Sequence, residues 1–229
     1  MKDRLRIRYR FDLPDGSQKT IDFTFDPIDF RICNAPPDEP PFWTELKFNQ
    51  CGNCPLSPAE HPHCPAALQM AAALEPLKEL VSFDTVGVSV QQAERTVYAE
   101  TSAQQAMSSV LGLIMATSGC PWTDRLRPMA RFHLPFASDA ETLYRSISMY
   151  LLSREIAPCD GPPFAALEDL YQNLHVVNRD MSRRLGAATN TDPARNAIAL
   201  LDSYTTLLPA ALERSLDELR PLFDAWKIK

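Results

Sequence analysis

The chain has 229 residues, 23 Lys and Arg against 29 Asp and Glu, and a formal net charge of -6. That length can bury a sizeable core, and that charge balance excludes a nucleic-acid groove fed by general basicity. The 7 glycines (Gly16, Gly52, Gly87, Gly112, Gly119, Gly161, Gly186) are nowhere bunched, which excludes the dinucleotide G-x-G-x-x-G fingerprint, the Walker loop and the G-x-S-x-G nucleophile elbow.

Met1 to Arg10 alternates charged and apolar residues without an apolar core, so no secretory signal is expected. Leu5 to Phe11 and Ile21 to Phe25 each alternate apolar with polar residues around the turn signal Pro14-Asp15-Gly16-Ser17, which predicts a β-hairpin with one buried face. From Pro27 to Pro65 the chain holds nine of its 20 prolines and four of its 6 cysteines. Each proline removes a backbone donor, so long regular structure is not expected there. Ala67, Met70, Leu74, Leu77 and Val81 then space a helix over 66–81 that is kinked or restarted at Pro76.

Thr85 to Val90 and Thr96 to Ala99 read as two further strands. Ser102 with Gln105 forms a capping box for a helix whose inward stripe is Ala106, Met107, Val110, Leu111 and Ile114, stopped at Gly119. The longest apolar run, Val110 to Ala116, falls far short of the ~20 residues that span a bilayer, so no membrane partner is expected. After about twenty residues without a period, a second box, Ser138 with Glu141, opens a helix turning Leu143, Tyr144, Ile147 and Leu151 inward.

Phe164, Leu167, Tyr171, Leu174, Val177, Met181 and Leu185 then step by three and four, with Gly186 at the stop. Asp192-Pro193 opens another helix, with Ala194, Ile198, Leu201, Tyr204 and Leu208 as its stripe, and a last segment presents Leu212, Leu216, Leu219, Leu222, Phe223 and Trp226. The expected class is α+β: a small N-terminal β-hairpin or sheet and a Pro/Cys-rich segment packed on a predominantly helical bundle. Residues 1–100 form the first part and 101–229 the second, within one cooperative domain.

Cys51-Gly52-Asn53-Cys54, His61, His63 and Cys64 crowd into a short stretch, and Pro follows Cys54, Cys64 and Cys120 alike. A C-x2-C turn lets two sulfurs reach one tetrahedral ion at about 2.3 Å each, and in a reducing compartment such thiols are ligands before they are disulfides. Cys51, Cys54, Cys64 and Cys120 are therefore the candidate zinc ligands, with His61, His63 or His133 as alternates for the fourth place. An all-cysteine set also suits an iron-sulfur cluster. Cys33 and Cys159 lack close partners and are expected to fill core positions. A redox pair at Cys51 and Cys54 ranks last, because Pro55 and Pro58 follow too soon for the helix start such a motif needs.

Arg125, Arg127, Arg131 and His133 follow Cys120, and Glu141 and Arg145 share one face of the next helix. Arg127, Arg131 and Arg145 are candidates for holding a carboxylate or phosphate. His133 and Glu141 are the candidates for proton transfer if only three cysteines bind a metal and water completes the shell. No Ser-His-Asp order or H-E-x-x-H motif is present.

At Trp43-Thr-Glu-Leu46-Lys-Phe48-Asn-Gln-Cys51-Gly-Asn-Cys54-Pro-Leu56, His63-Cys64-Pro65, Ser118-Gly119-Cys120-Pro121, Arg127-Pro-Met-Ala-Arg131-Phe-His133-Leu-Pro-Phe136 and Glu141-Thr142 the chain resembles an uncharacterised bacterial family of unknown function. The resemblance runs over most of the chain and implies a bacterial origin. The expectation is thus a cytoplasmic zinc-holding protein acting as a binding or regulatory module on a protein or small anionic ligand.

Overall fold

In the computed structural model, residues 4–158, 161, 162, 164–188, 194–203, 205 and 219–226 are described. β1 (Leu5–Asp12) and β2 (Gln18–Phe25) pair antiparallel, Leu5 opposite Phe25 and Asp12 opposite Gln18. The turn between them is set by Gly16, whose φ of 81° suits a residue without a Cβ, and by Asp15 Oδ1, which accepts from the Ser17 N–H at 2.8 Å. Strand alternation then does the sorting: Ile7, Tyr9, Phe11, Ile21, Phe23 and Phe25 are buried, while Arg8 and Asp22 pair on the outer face.

β3 (Thr85–Gln91) adds to β1 and carries β4 (Thr96–Ser102) at its other side, giving the order β2-β1-β3-β4. Every pairing is antiparallel. Val86, Val88 and Val90 extend the apolar face. Between β2 and β3 the chain leaves the sheet for residues 26–84, which contain the proline- and cysteine-rich segment and α1 (Pro65–Leu74). Pro65 is N1 of α1, where its missing N–H costs nothing, and Pro76 marks the change to a 3-10 turn at Glu75–Leu77. Val81, expected on the inward stripe, is 53% exposed because the helix has already ended.

α2 (Ala103–Thr117) starts at Ser102, whose Oγ accepts from the Gln105 N–H, and buries the whole expected stripe. The segment that follows has no apolar period yet is ordered, as a 3-10 turn at Thr123–Leu126 and the one-turn helix α3 (Arg127–Arg131). α4 (Asp139–Ile156) opens with the complete capping box of Ser138 and Glu141. Its inward face is rotated from the expected one: Ser146, Ile147 and Tyr150 are buried, while Tyr144 and Leu151 are 47% and 51% exposed. The hydrogen bond between Ser146 Oγ and Tyr171 Oη (2.7 Å) fixes that rotation against α5 (Ala165–Ala188).

On α5 the stripe Leu167, Tyr171, Leu174, Val177, Met181 and Leu185 is buried throughout, and the helix runs past Gly186, which therefore does not stop it. A Cβ at Gly186 would meet Arg195 Cδ at 3.2 Å, so its smallness serves the approach of the next helical stretch, 194–203. Ala194, Ala197 and Ile198 are buried there. Asp192, Pro193, Tyr204, Leu208, Leu212, Leu216 and Cys159 lie outside the described residues. Within 220–226 Leu222, Phe223 and Trp226 are exposed instead of packed inward. The class is α+β, a four-stranded antiparallel sheet with helices.

The Ser138 box satisfies two otherwise orphaned donors at once. Ser138→Ala is expected to lower stability by about 1 kcal/mol in a urea titration, and an unchanged midpoint would show that the box contributes nothing.

Candidate functional site

Four separated positions of the chain meet at one small cavity. The Cys51–Cys54 turn is closed by the Cys54 N–H donating to Cys51 O at 3.0 Å, with Gly52 and Asn53 between. It is anchored from outside: the Gly52 N–H donates to Asp180 Oδ2 (2.9 Å), Asn53 Nδ2 to Asn173 O (3.0 Å), and Trp122 Nε1 to Asn53 O (2.7 Å). Cys64 sits at the N-cap of α1 with its N–H on Thr44 O (2.8 Å). Cys120 follows Gly119, whose φ of 88° turns the chain out of α2. Cys51, Cys54, Cys64 and Cys120 all line a cavity of about 20 Å³, large enough for one water-sized body.

Apart from Trp122 and Arg184, the rest of that lining is aliphatic or proline, with Leu46, Leu56, Val177 and Met181 around the sulfurs. All four are free thiols. Among the described residues no group of three or more His, Cys, Asp and Glu side chains is arranged to hold a metal ion as it stands. Burial pushes the Cys51 thiol up to about 12, and negative charge on Cys64, Cys120, Asp180 and Cys54 would push it the same way. Burial also raises Cys64, opposed by the N–H groups of Ala67 and Ala66 and by the Arg184 guanidinium. Four thiols this close resist ionising together unless a cation is among them.

Arg184 is such a cation. It is fully buried, lines the same cavity, and donates through Nη1 to Trp43 O (2.6 Å) and Glu45 O (2.7 Å) and through Nη2 to Leu46 O (3.1 Å). Phe48 stacks beneath its guanidinium, with Cζ 5.9 Å from the ring centroid. Among the described residues no carboxylate pairs with it, and its Nε has no hydrogen-bond partner. Nearby Asp180 is taken up by others. Burial raises its carboxyl, but the Arg179 guanidinium, the Gly52 N–H and Arg183 hold it below the usual range.

The histidines stand apart from the thiols. His61 is exposed, and His63 spends Nδ1 on Thr44 Oγ1 (2.8 Å); neither lines the cysteine cavity. His133 lines a different cavity, of about 170 Å³, bounded by α2, α3, α4 and Leu201. Its Nε2 lies 2.5 Å from Tyr9 Oη, and burial, with the Arg145 charge adding to it, lowers its pKa to about 3. Glu141 is exposed and occupied by Ser138, so it does not join His133.

Nor do the three candidate arginines share a site. Arg145 lines the His133 cavity, while Arg127 and Arg131 line an open hollow with Asp29 and Asp124. There Arg127 pairs with Asp124 (3.2 Å), and Arg131 covers the rings of Phe30 and Phe132. Arg125 lies over Trp122. Cys33 is half-buried, with its Sγ 3.6 Å from Arg31 O.

Sequence reasoning missed Arg184 and Tyr9. The signal for Arg184 was a charge at a stripe position, seven residues after Val177 and three after Met181 on a face that is otherwise apolar. Tyr9 left no local signal, since its partner lies 124 residues away.

Arg184→Met keeps much of the stem but strips the donors from three carbonyls. A stability loss of about 3 kcal/mol or more is expected by urea unfolding, and a loss below about 1 kcal/mol would contradict the role given to this residue. For His133 the folded pKa of about 3 lies below the ordinary 6.5. The unfolded chain therefore takes up the proton first, so this contribution is complete above about pH 6.5 and is lost as pH falls toward 3. Melting curves at successive pH values should show a shallower acid decline in His133→Gln than in the native chain; parallel declines would remove the assignment.

No match to the chain was found among curated proteins or among solved structures. A family model described as a domain of unknown function, DUF6901, matches residues 7–224. With nearly its whole length matched, the chain belongs to the DUF6901 family.

Proposed function

We propose that this protein is a metal-stabilised binding module of the cytoplasm, in which Cys51, Cys54, Cys64 and Cys120 hold one structural zinc ion. The observation that carries the reading is the convergence of these four thiols, from a turn, a helix start and a helix exit, on a single cavity of about 20 Å³. An all-sulfur donor set suits zinc, and four protein ligands leave no open position, so the ion would order the chain instead of reacting. Zinc with four thiolates carries two negative charges. Arg184 and the N–H groups at the start of α1 stand where they offset them.

The cavity volume suits one ion better than a multi-iron cluster. The open-site enzyme reading has less support, because His133 and Glu141 are apart from the thiols and from each other. A reducing compartment fits the free thiols.

Elemental analysis of protein purified without added metal should find about one zinc per chain. Cys120→Ser should lose it and melt about 10 °C or more lower, whereas His63→Ala and His133→Ala should keep it. Less than about half an equivalent of zinc or iron overturns the reading. A brown protein absorbing in the visible replaces zinc with a cluster.

A further inference from the structure

The cavity lined by His133 combines polar side chains with apolar walls. α2 contributes its floor through positions one turn apart, Ser108, Gly112 and Ala116, and the small residues there make the space. A Cβ at Gly112 would meet nothing closer than Leu201 Cδ2 at 3.6 Å, so no steric need of the backbone demands glycine. Leu113, Leu126 and Met129 supply apolar walls. At about 170 Å³ the space exceeds the ~150 Å³ that accepts a benzene ring.

Six side chains able to donate line it, Gln105, Ser108, Ser109, His133, Thr142 and Arg145, and three of them carry the argument. Arg145 is half-buried and is held by Nη2 on two backbone carbonyls, Met129 O (2.5 Å) and Phe132 O (3.0 Å). No carboxylate forms a salt bridge with it among the described residues, since Glu141, one turn earlier, is taken up by Ser138. Ser108 is 6% exposed, and its hydroxyl makes no hydrogen bond among the described residues. His133 uses only Nε2, toward Tyr9 Oη.

The tautomer follows from what Tyr9 needs. Tyr9 is fully buried, and its phenol proton has no acceptor among the described residues other than His133 Nε2. If the histidine donated instead, that proton would be stranded in the core. Tyr9 therefore donates, and the neutral ring carries its own proton on Nδ1 as a further donor.

We propose that this cavity binds a small monocarboxylic acid with a compact apolar body of about the size of benzoate. The carboxylate is held by Arg145, the His133 Nδ1–H and the Ser108 hydroxyl, and the body lies against Leu113, Leu126 and Met129. Arg145 gives the charge, the histidine and serine give direction, and the cavity volume sets the size limit. Tyr9 is a positioning residue that fixes the tautomer. None of these residues lines the cysteine cavity, and benzoate binding is measured separately from metal content.

Isothermal titration of the full chain, as purified, with sodium benzoate tests it. One saturable site with a Kd below about 1 mM is expected, with benzamide, the neutral near-isostere, at least tenfold weaker. Arg145→Gln should weaken benzoate by about tenfold to a hundredfold. Gly112→Leu should abolish binding by filling the cavity, and Ser108→Ala should weaken it while leaving the melting temperature near that of the native chain. Should Arg145→Gln or Gly112→Leu fail to fold, benzamide discrimination and Ser108→Ala still decide the matter. Absence of saturable binding, equal affinity for benzoate and benzamide, or full affinity in a folded Gly112→Leu variant would overturn the proposal.

Discussion

A guanidinium buried with no carboxylate partner among the described residues is the constraint around which this structure is arranged. Desolvating Arg184 is expensive, and three carbonyls of the stretch 43–46, which leaves a 3-10 turn at Phe42–Thr44, repay it in part. Those bonds nail a segment with little regular structure to the C-terminal part of α5. The neighbouring contacts do the same from other sides: Leu46 N–H on Pro62 O, Cys64 N–H on Thr44 O, and Gly52 N–H on Asp180 Oδ2. A charge left over in such a place asks for a counter-charge, and the four thiols beside it can supply one only as thiolates around a cation.

The two cavities are linked through one short stretch of chain. Trp122 donates to Asn53 O beside the cysteine turn, and Thr123 Oγ1 donates back to Met115 O on α2. Leu126, a few residues on, already lines the second cavity, and the stretch ends at His133. Fixing Cys120 thus fixes the start of the segment that carries Leu126, Met129 and His133 into position. A metal held at Cys120, as proposed, would bear on the second cavity without touching it, which is what a structural ion with no open coordination position can do.

The sheet and most helix stripes were legible in the sequence because period-2 and period-3.6 burial are local properties: Tyr9, Phe11, Phe23 and Phe25 on the strands, or Leu174, Val177 and Met181 on α5. The rotation of α4 was not, because Tyr144 and Leu151 are as apolar as Ile147 and Tyr150, and the choice between faces goes with bonds to distant residues, from Ser146 to Tyr171 and from Arg145 to the carbonyls of Met129 and Phe132. Gly186 misled for a related reason. A glycine near the end of a stripe reads as a stop, but here it makes room for Arg195 from the next helical stretch. For the site, the C-x2-C spacing and the repeated Cys-Pro steps pointed to the four thiols that share the cavity. The grouping of Arg127, Arg131 and Arg145 by sequence proximity did not survive folding, since α3 turns the first two toward Asp29 and Asp124 and leaves Arg145 beside His133. Proximity along a chain with helical turns says little about which face a long side chain will reach.

The central claim concerns what the four sulfurs surround. X-ray absorption at the zinc edge on protein purified without added metal measures it most directly. Four sulfur scatterers at about 2.3 Å, with no nitrogen or oxygen in the first shell, are the result this account predicts. A mixed sulfur and nitrogen shell, a shell containing water, or no zinc edge at all would contradict it.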